Sequence, residues 1–193
     1  MNIQYQITLH SYWHCGSGLA AGAQADALVI KDLDQLPFIP GKTIKGLLRD
    51  AVNELRFLQE KPECDELYKK TFGLQPTENN TNGNIEANKS ETFFGNATLV
   101  QEEADAIKSH NLQQHLYKMV ASTAIGSNGV AQDHSLRTME VTVPCTLVGE
   151  IIDVPEGMVS ELEQAMKFIK QLGSGRTRGL GRCTISTKKG GDK

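Results

Sequence analysis

The segment TIKGLLRDAVNEL, residues 43–55, does most to limit what this chain can fold into. Ile44, Leu47, Leu48, Ala51, Val52 and Leu55 recur at helical spacing, which predicts an amphipathic helix with one apolar stripe. Such a stripe needs a second layer to cover it. The strict alternation of IQYQITL supplies one, placing Ile3, Tyr5, Ile7 and Leu9 on one face of a strand. TFFGNATLV, residues 92–100, reads as a strand with a glycine bulge, and MEVTVPCTLVGEIID, residues 139–153, as one strand or two interrupted at Pro144. A second helical stripe follows in Met158, Leu162, Ala165, Met166, Ile169 and Leu172, and a short strand opens at Cys183. The order is strand, helix, strand, excursion, strand, helix, strand. This is an α+β chain with a ferredoxin-like βαββαβ core, the RNA-recognition topology, carrying a large mid-chain insertion.

Local signals set the expected boundaries. Thr43 is the expected N-cap of the first helix, after the Pro40-Gly41 turn, and Gly173 the expected glycine closing the second. QPTENNTNGNIEANKS, residues 75–90, is polar and aperiodic and reads as a mobile loop. The insertion spans 101–138: a polar stretch with a helix expected from Glu102 to Met119, then STAIGSNGVAQDHSLRT, too glycine-rich and polar for a core. A chain of 193 residues suits one domain, 1–193, with that insertion. The four cysteines show neither zinc spacing nor disulfide density. The N-terminus has no basic end followed by an apolar run, and no segment approaches the roughly 20 apolar residues of a membrane span. A soluble cytoplasmic protein is expected.

Net charge is −3, but the cations cluster: six Lys or Arg stand against Asp192 between Gly173 and Lys193. Within that run, GSGRTRGLGR places Arg176, Arg178 and Arg182 among four glycines. A single GxG would read as a solvated linker. Two of them with three arginines favour a phosphate-facing loop, with main-chain amides and planar cations as donors. Walker and dinucleotide-binding spacings are absent, so nucleotide hydrolysis is not indicated. Lys42, Lys45 and Arg49 share one face near a helix start, a natural anion site. Asp26 is the first charged side chain apart from the histidines and lies in an Ala/Gly loop. It is either a turn residue or a carboxylate that holds a metal or moves a proton at a phosphodiester. His14 is either a packing residue or a metal-free base.

These motifs combine in a recognisable way. HCG after the first strand, LPFIPGKTIKGLLR, TAIGSNGVAQDHSLRTMEV and GSGRTRGLGR together resemble the RAMP superfamily of CRISPR-associated proteins. AQADALVIKD ahead of LPFIPGKTIKGLLR is similar to backbone subunits of type III effector complexes. The resemblance implies that several copies line a guide RNA, with other effector subunits and a target RNA as partners. It implies that Lys42, Thr43, Lys45 and Arg49 meet guide phosphates, helped by His14, Arg137, Gly173, Gly175, Arg176 and Arg178. Residues 123–138 would be a thumb that wedges into the guide–target duplex. Asp26 would be the catalytic residue and the ligand of a Mg2+ ion, making the assembled protein a metal-dependent endoribonuclease that cuts target RNA at regular intervals. A non-catalytic guide-binding subunit and a metal-independent guide-processing nuclease based on His14 are the alternatives.

Overall fold

The computed structural model describes residues 1–22, 25–61, 64–74 and 89–188 of the chain. Strand β1, Ile3–Leu9, is central and buries Ile3, Tyr5, Ile7 and Leu9 as its alternation requires. Strand β6, Thr146–Ile152, pairs antiparallel on one side of β1 and β7, Cys183–Thr187, on the other. Two short strands, β2 (Phe93–Phe94) and β3 (Thr98–Leu99), pair with the outer side of β6. The register slips by one residue between Phe94↔Ile151 and Thr98↔Val148. A bulge therefore sits at the expected glycine, with the Gly95 N–H donating to the Glu150 carbonyl at 2.9 Å.

Helix α1, Gly41–Leu58, follows β1, and α4, Glu156–Phe168, joins β6 to β7. The two helices pack on each other, and their apolar stripes join the buried strand side chains in one cluster. Each fully buried Leu, Ile or Met there contributes roughly 1.5–3 kcal/mol. Each helix links two strands that have a third strand between them, which is the split βαβ arrangement of a ferredoxin-like fold. A short helix α2, Glu66–Phe72, is capped by Asp65, whose carboxylate accepts the Tyr68 N–H at 2.8 Å. Arg56 ties these helices together. Its buried guanidinium lies 2.7 Å from Glu161 of α4 and 3.2 Å from Asp65, and it covers the Tyr68 ring at 5.3 Å.

Between β3 and β6 the chain leaves the sheet. It forms α3, Gln101–Ser109, a 3-10 turn at Gln113–Leu116, and an antiparallel ribbon of β4, Tyr117–Ser122, and β5, Arg137–Thr142. The helix expected to reach Met119 stops at Ser109. Asn111 takes a left-handed φ of 53° just past the helix end, a common helix stop, and Tyr117 to Ser122 go to the ribbon instead. The break at Pro144 between β5 and β6 falls where expected. Of the loop expected at 75–90, only Lys89 and Ser90 are among the described residues.

Two helix boundaries differ from expectation. Pro40, not Thr43, is the N-cap of α1, and the Asn96 amide oxygen accepts the Gly41 N–H at 2.9 Å. Glycine is required at 41 because a Cβ there would lie 1.9 Å from the Phe94 carbonyl oxygen. Helix α4 ends at Phe168 rather than at Gly173. Residues 169–172 instead run extended beside 181–183: the Leu172 N–H donates to Gly181 O at 2.9 Å and the Cys183 N–H to Lys170 O at 2.8 Å. Ile169 and Leu172 stay buried without being helical.

Candidate nucleic-acid interface

Three segments that are remote in sequence converge on one groove of about 650 Å³. Asp26 and Ala27 come from the loop after β1, Arg137 to Met139 from the start of β5 at the loop end of the ribbon, and Gly175, Thr177 and Arg178 from the glycine loop. Asp26 is exposed but anchored. Its N–H donates to Thr138 O at 2.8 Å, and its Oδ2 accepts the Thr138 N–H at 2.7 Å. The next residue, Ala27, forms a parallel bridge to Met139. Asp26 is thus mounted on the start of β5, at the loop end of the ribbon, with one carboxylate oxygen fixed by main chain.

The glycine loop follows a path that its glycines permit. Gly173, Gly175, Gly179 and Gly181 all have φ between 70° and 86°. A Cβ at Gly173 would lie 2.3 Å from His14 O, and one at Gly181 1.8 Å from Leu172 O. The amides of Ser174, Arg178, Leu180 and Gly181 donate to carbonyls of His14, Gly175, Gly175 and Tyr12. Those four N–H groups are therefore engaged within the protein, and the exposed side chains of Arg176 and Arg178 add charge to what the loop offers an anion. Arg176 and Arg178, expected to act together, face different grooves. Arg178 lines the groove with Asp26, whereas Arg176 lines one of about 400 Å³ between α1 and the end of α4, beside Asp50 and Glu54.

His14 is buried under this assembly. Its Nδ1–H donates to Glu140 O at 2.7 Å, and its own carbonyl accepts the Ser174 N–H at 2.9 Å. It supports the glycine loop from beneath. Lys42, Thr43, Lys45 and Arg49 do not line the Asp26 groove. Lys42 is exposed, and the Thr43 hydroxyl bonds the thiol of Cys15. Burial pushes that thiol's pKa up, opposed by Thr43 and the charge of Lys42. Lys45 bonds Ser90 Oγ at 2.7 Å, and burial together with the charge of Arg49 lowers its pKa. Arg49 lies 3.6 Å from Asp50. These four form a face of α1 separate from the groove.

Among the described residues no cluster of three His, Cys, Asp or Glu side chains is arranged to hold a metal. Asp26 still fits a Mg2+ ion of the kind that uses one carboxylate and completes its shell with substrate phosphate oxygens and water. Sequence reasoning missed Glu140 and Lys31. Glu140 is buried on β5, and its carboxylate accepts the Val29 N–H at 3.0 Å and Lys31 Nζ at 2.8 Å. The signal available was an acid set directly between the apolar Met139 and Val141 in an expected strand.

The RAMP superfamily model matches residues 6–184, a span that takes in most of the sheet, both core helices and all three walls of the groove. The chain belongs to the RAMP superfamily. Among curated proteins no sequence matches it significantly. Among solved structures it is similar to a chain of the type III-B Cmr-beta complex in its apo state, with a TM-score of 0.68 at 10% identity over 98% of both chains. It is also similar to a chain of Cmr-beta bound to cognate target RNA, with a TM-score of 0.67 at 11% identity over 97% of both chains. At such identities the likeness is one of fold. No helix among the described residues of this RAMP protein is long and apolar enough to cross a membrane.

Proposed function

We propose that this RAMP protein is a backbone subunit of a type III CRISPR effector complex in the cytoplasm, binding guide RNA and cutting the paired target RNA. The observation that carries the reading is the single anchored carboxylate of Asp26 in a groove flanked by Arg137 and Arg178. A lone carboxylate repels phosphate, so its place in a groove that Arg137 and Arg178 also line suits a reaction at a phosphodiester better than simple binding.

In that reaction the target 2′-oxygen attacks the adjacent phosphorus in line while the bond from phosphorus to the 5′-oxygen breaks and solvent water protonates the departing oxygen. The products are a 2′,3′-cyclic phosphate and a 5′-hydroxyl. Oδ2 of Asp26 is held by the Thr138 N–H, which leaves Oδ1 to orient the 2′-hydroxyl and take its proton. Arg137 and Arg178 balance charge on the phosphoryl oxygens. Were Asp26 instead to hold a Mg2+ ion through Oδ1, that ion would supply Lewis-acid polarisation of a phosphoryl oxygen in place of the carboxylate's role as base. The ribbon provides the distortion that in-line attack needs. Beyond β4 and β5 it exposes Ile125, Val130 and Leu136 at 61%, 61% and 68%, an apolar tip suited to wedging between stacked bases. Displacing a nucleotide costs a few kcal/mol, which duplex contacts along several copies of the subunit offset.

The test is target cleavage by complexes assembled with Asp26→Asn. Guide and target binding should persist while cutting slows by about 100-fold or more. Wild-type cutting at every site would leave a binding subunit without catalysis.

A further inference from the structure

Glu140, on β5, touches the Asp26 loop directly and the glycine loop through His14. Its N–H donates to Ala27 O at 3.0 Å, next to Asp26. Its carboxylate grips the same loop two and four residues further on, through the Val29 N–H and the Lys31 ammonium. The ammonium in turn sits 3.9 Å over the ring of Tyr117, where β4 begins. On its other side the Glu140 carbonyl accepts His14 Nδ1–H at 2.7 Å, and the His14 carbonyl accepts the Ser174 N–H of the glycine loop. One strand residue therefore reaches the Asp26 loop by main chain and side chain, and reaches the glycine loop through a buried imidazole.

Stability does not explain such an arrangement. Desolvating a carboxylate and an ammonium is costly, and apolar residues of similar volume at such sites often leave a protein as stable or more so. What the charges add is direction. A carboxylate with two fixed donors admits only one alignment of residues 27–31 against β5, and an apolar pair would tolerate several. We propose that Glu140, with Lys31, is a positioning residue for the cleavage chemistry: it sets the distance between the Asp26 carboxylate and the Arg178 guanidinium. This rests on the cleavage reading above, because displacing a reacting group by about 1 Å costs on the order of 100-fold in rate.

The test pairs Lys31→Met/Glu140→Leu with Asp26→Asn in assembled complexes, and follows amide hydrogen exchange in the full chain. The apolar double variant should melt at or above the wild-type temperature and bind guide RNA normally. Its kcat for target cutting should fall by about 100-fold with little change in KM. Protection should be lost together at Val29 and Ser174, although Ser174 touches neither mutated side chain. Wild-type cutting by the double variant, with Asp26→Asn inactive, overturns the positioning role and leaves the cleavage reading intact. If Asp26→Asn also cuts normally, the cleavage reading has failed. Exchange then decides whether the three walls are coupled, and a Ser174 amide that stays protected shows that they are not. Should the double variant fail to fold, the unmodified chain provides the check. Val29, Thr138 and Ser174 should then exchange as one cooperative unit, within about a factor of three, and independent rates reject the coupling.

Discussion

Arg176 and Arg178 are two residues apart, and their spacing alone assigns them one role. The structure turns them into different grooves, Arg178 towards Asp26 and Arg176 towards Asp50 and Glu54. Both guanidinium groups are charged at any accessible pH, so replacing either with glutamine removes one full cation. Each single-strand phosphate that the protein neutralises contributes about 0.7 to the slope of log affinity against log salt. Arg178→Gln should flatten that slope by one such increment. A fourfold rise in salt would then weaken the wild type about 2.6-fold more than the variant. Arg137→Gln/Arg178→Gln removes two cations from the groove, and the gap should widen to about 7-fold. Arg176→Gln should run parallel to the wild type, because its groove carries two acids of its own. The assay is fluorescence anisotropy of a guide-length RNA in assembled complexes across a salt series. Equal flattening by Arg176→Gln and Arg178→Gln, or flattening by neither, would refute the division of labour.

Two further predictions concern the helices behind the groove. Arg56→Ala leaves Glu161 partly buried with the half-exposed Lys61 beside it at 3.6 Å, whereas the Asp65 side chain, 42% exposed, can be rehydrated. The loss should fall at the low end for a broken buried pair, about 3 kcal/mol. Thermal melting should drop by about 6–12 °C, and an unchanged melting temperature would show the network to be energetically idle. Asp65 also gives the fold a pH dependence. Burial raises its pKa, but the Tyr68 N–H and Arg56 outweigh this and hold it below the ordinary 3.8. Its ionised form is therefore favoured in the folded state, and its contribution is present above the ordinary value and lost as pH falls through the lowered one. The stability gap between wild type and Asp65→Asn should begin to shrink as pH falls below about 5 and keep closing below the ordinary 3.8, and a constant gap would exclude the linkage.

The core was readable because its signals are periodic and local. Alternation in IQYQITL and the stripe in TIKGLLRDAVNEL are properties of neighbouring residues, and they name the side chains found buried. Boundaries were harder because their causes are remote. Gly41 starts α1 for the sake of a carbonyl at Phe94, and its N–H is capped from Asn96, neither of which adjoins it in sequence. Arg56 is buried only because acids at 65 and 161 arrive to meet it. Asn111, by contrast, was a local stop signal that could have ended α3 at the right place. The site was legible in pieces. Asp26, Arg137 and the glycine loop each stood out by residue type, yet their convergence depends on the ribbon carrying β5 between them. His14 attracted attention as a potential base, and only the fold reveals that its ring is enclosed.

The glycine loop separates two kinds of information that most loops mix. Its course is written in positions without side chains, closed against carbonyls of Leu172 and His14, while the side chains of Arg176, Thr177 and Arg178 are exposed along it. Changes at the three exposed positions can alter what the surface attracts without asking the core to refold. The same backbone could in this way serve subunits that meet different neighbours, each tuned by exchanging a few exposed side chains on a mount that stays fixed.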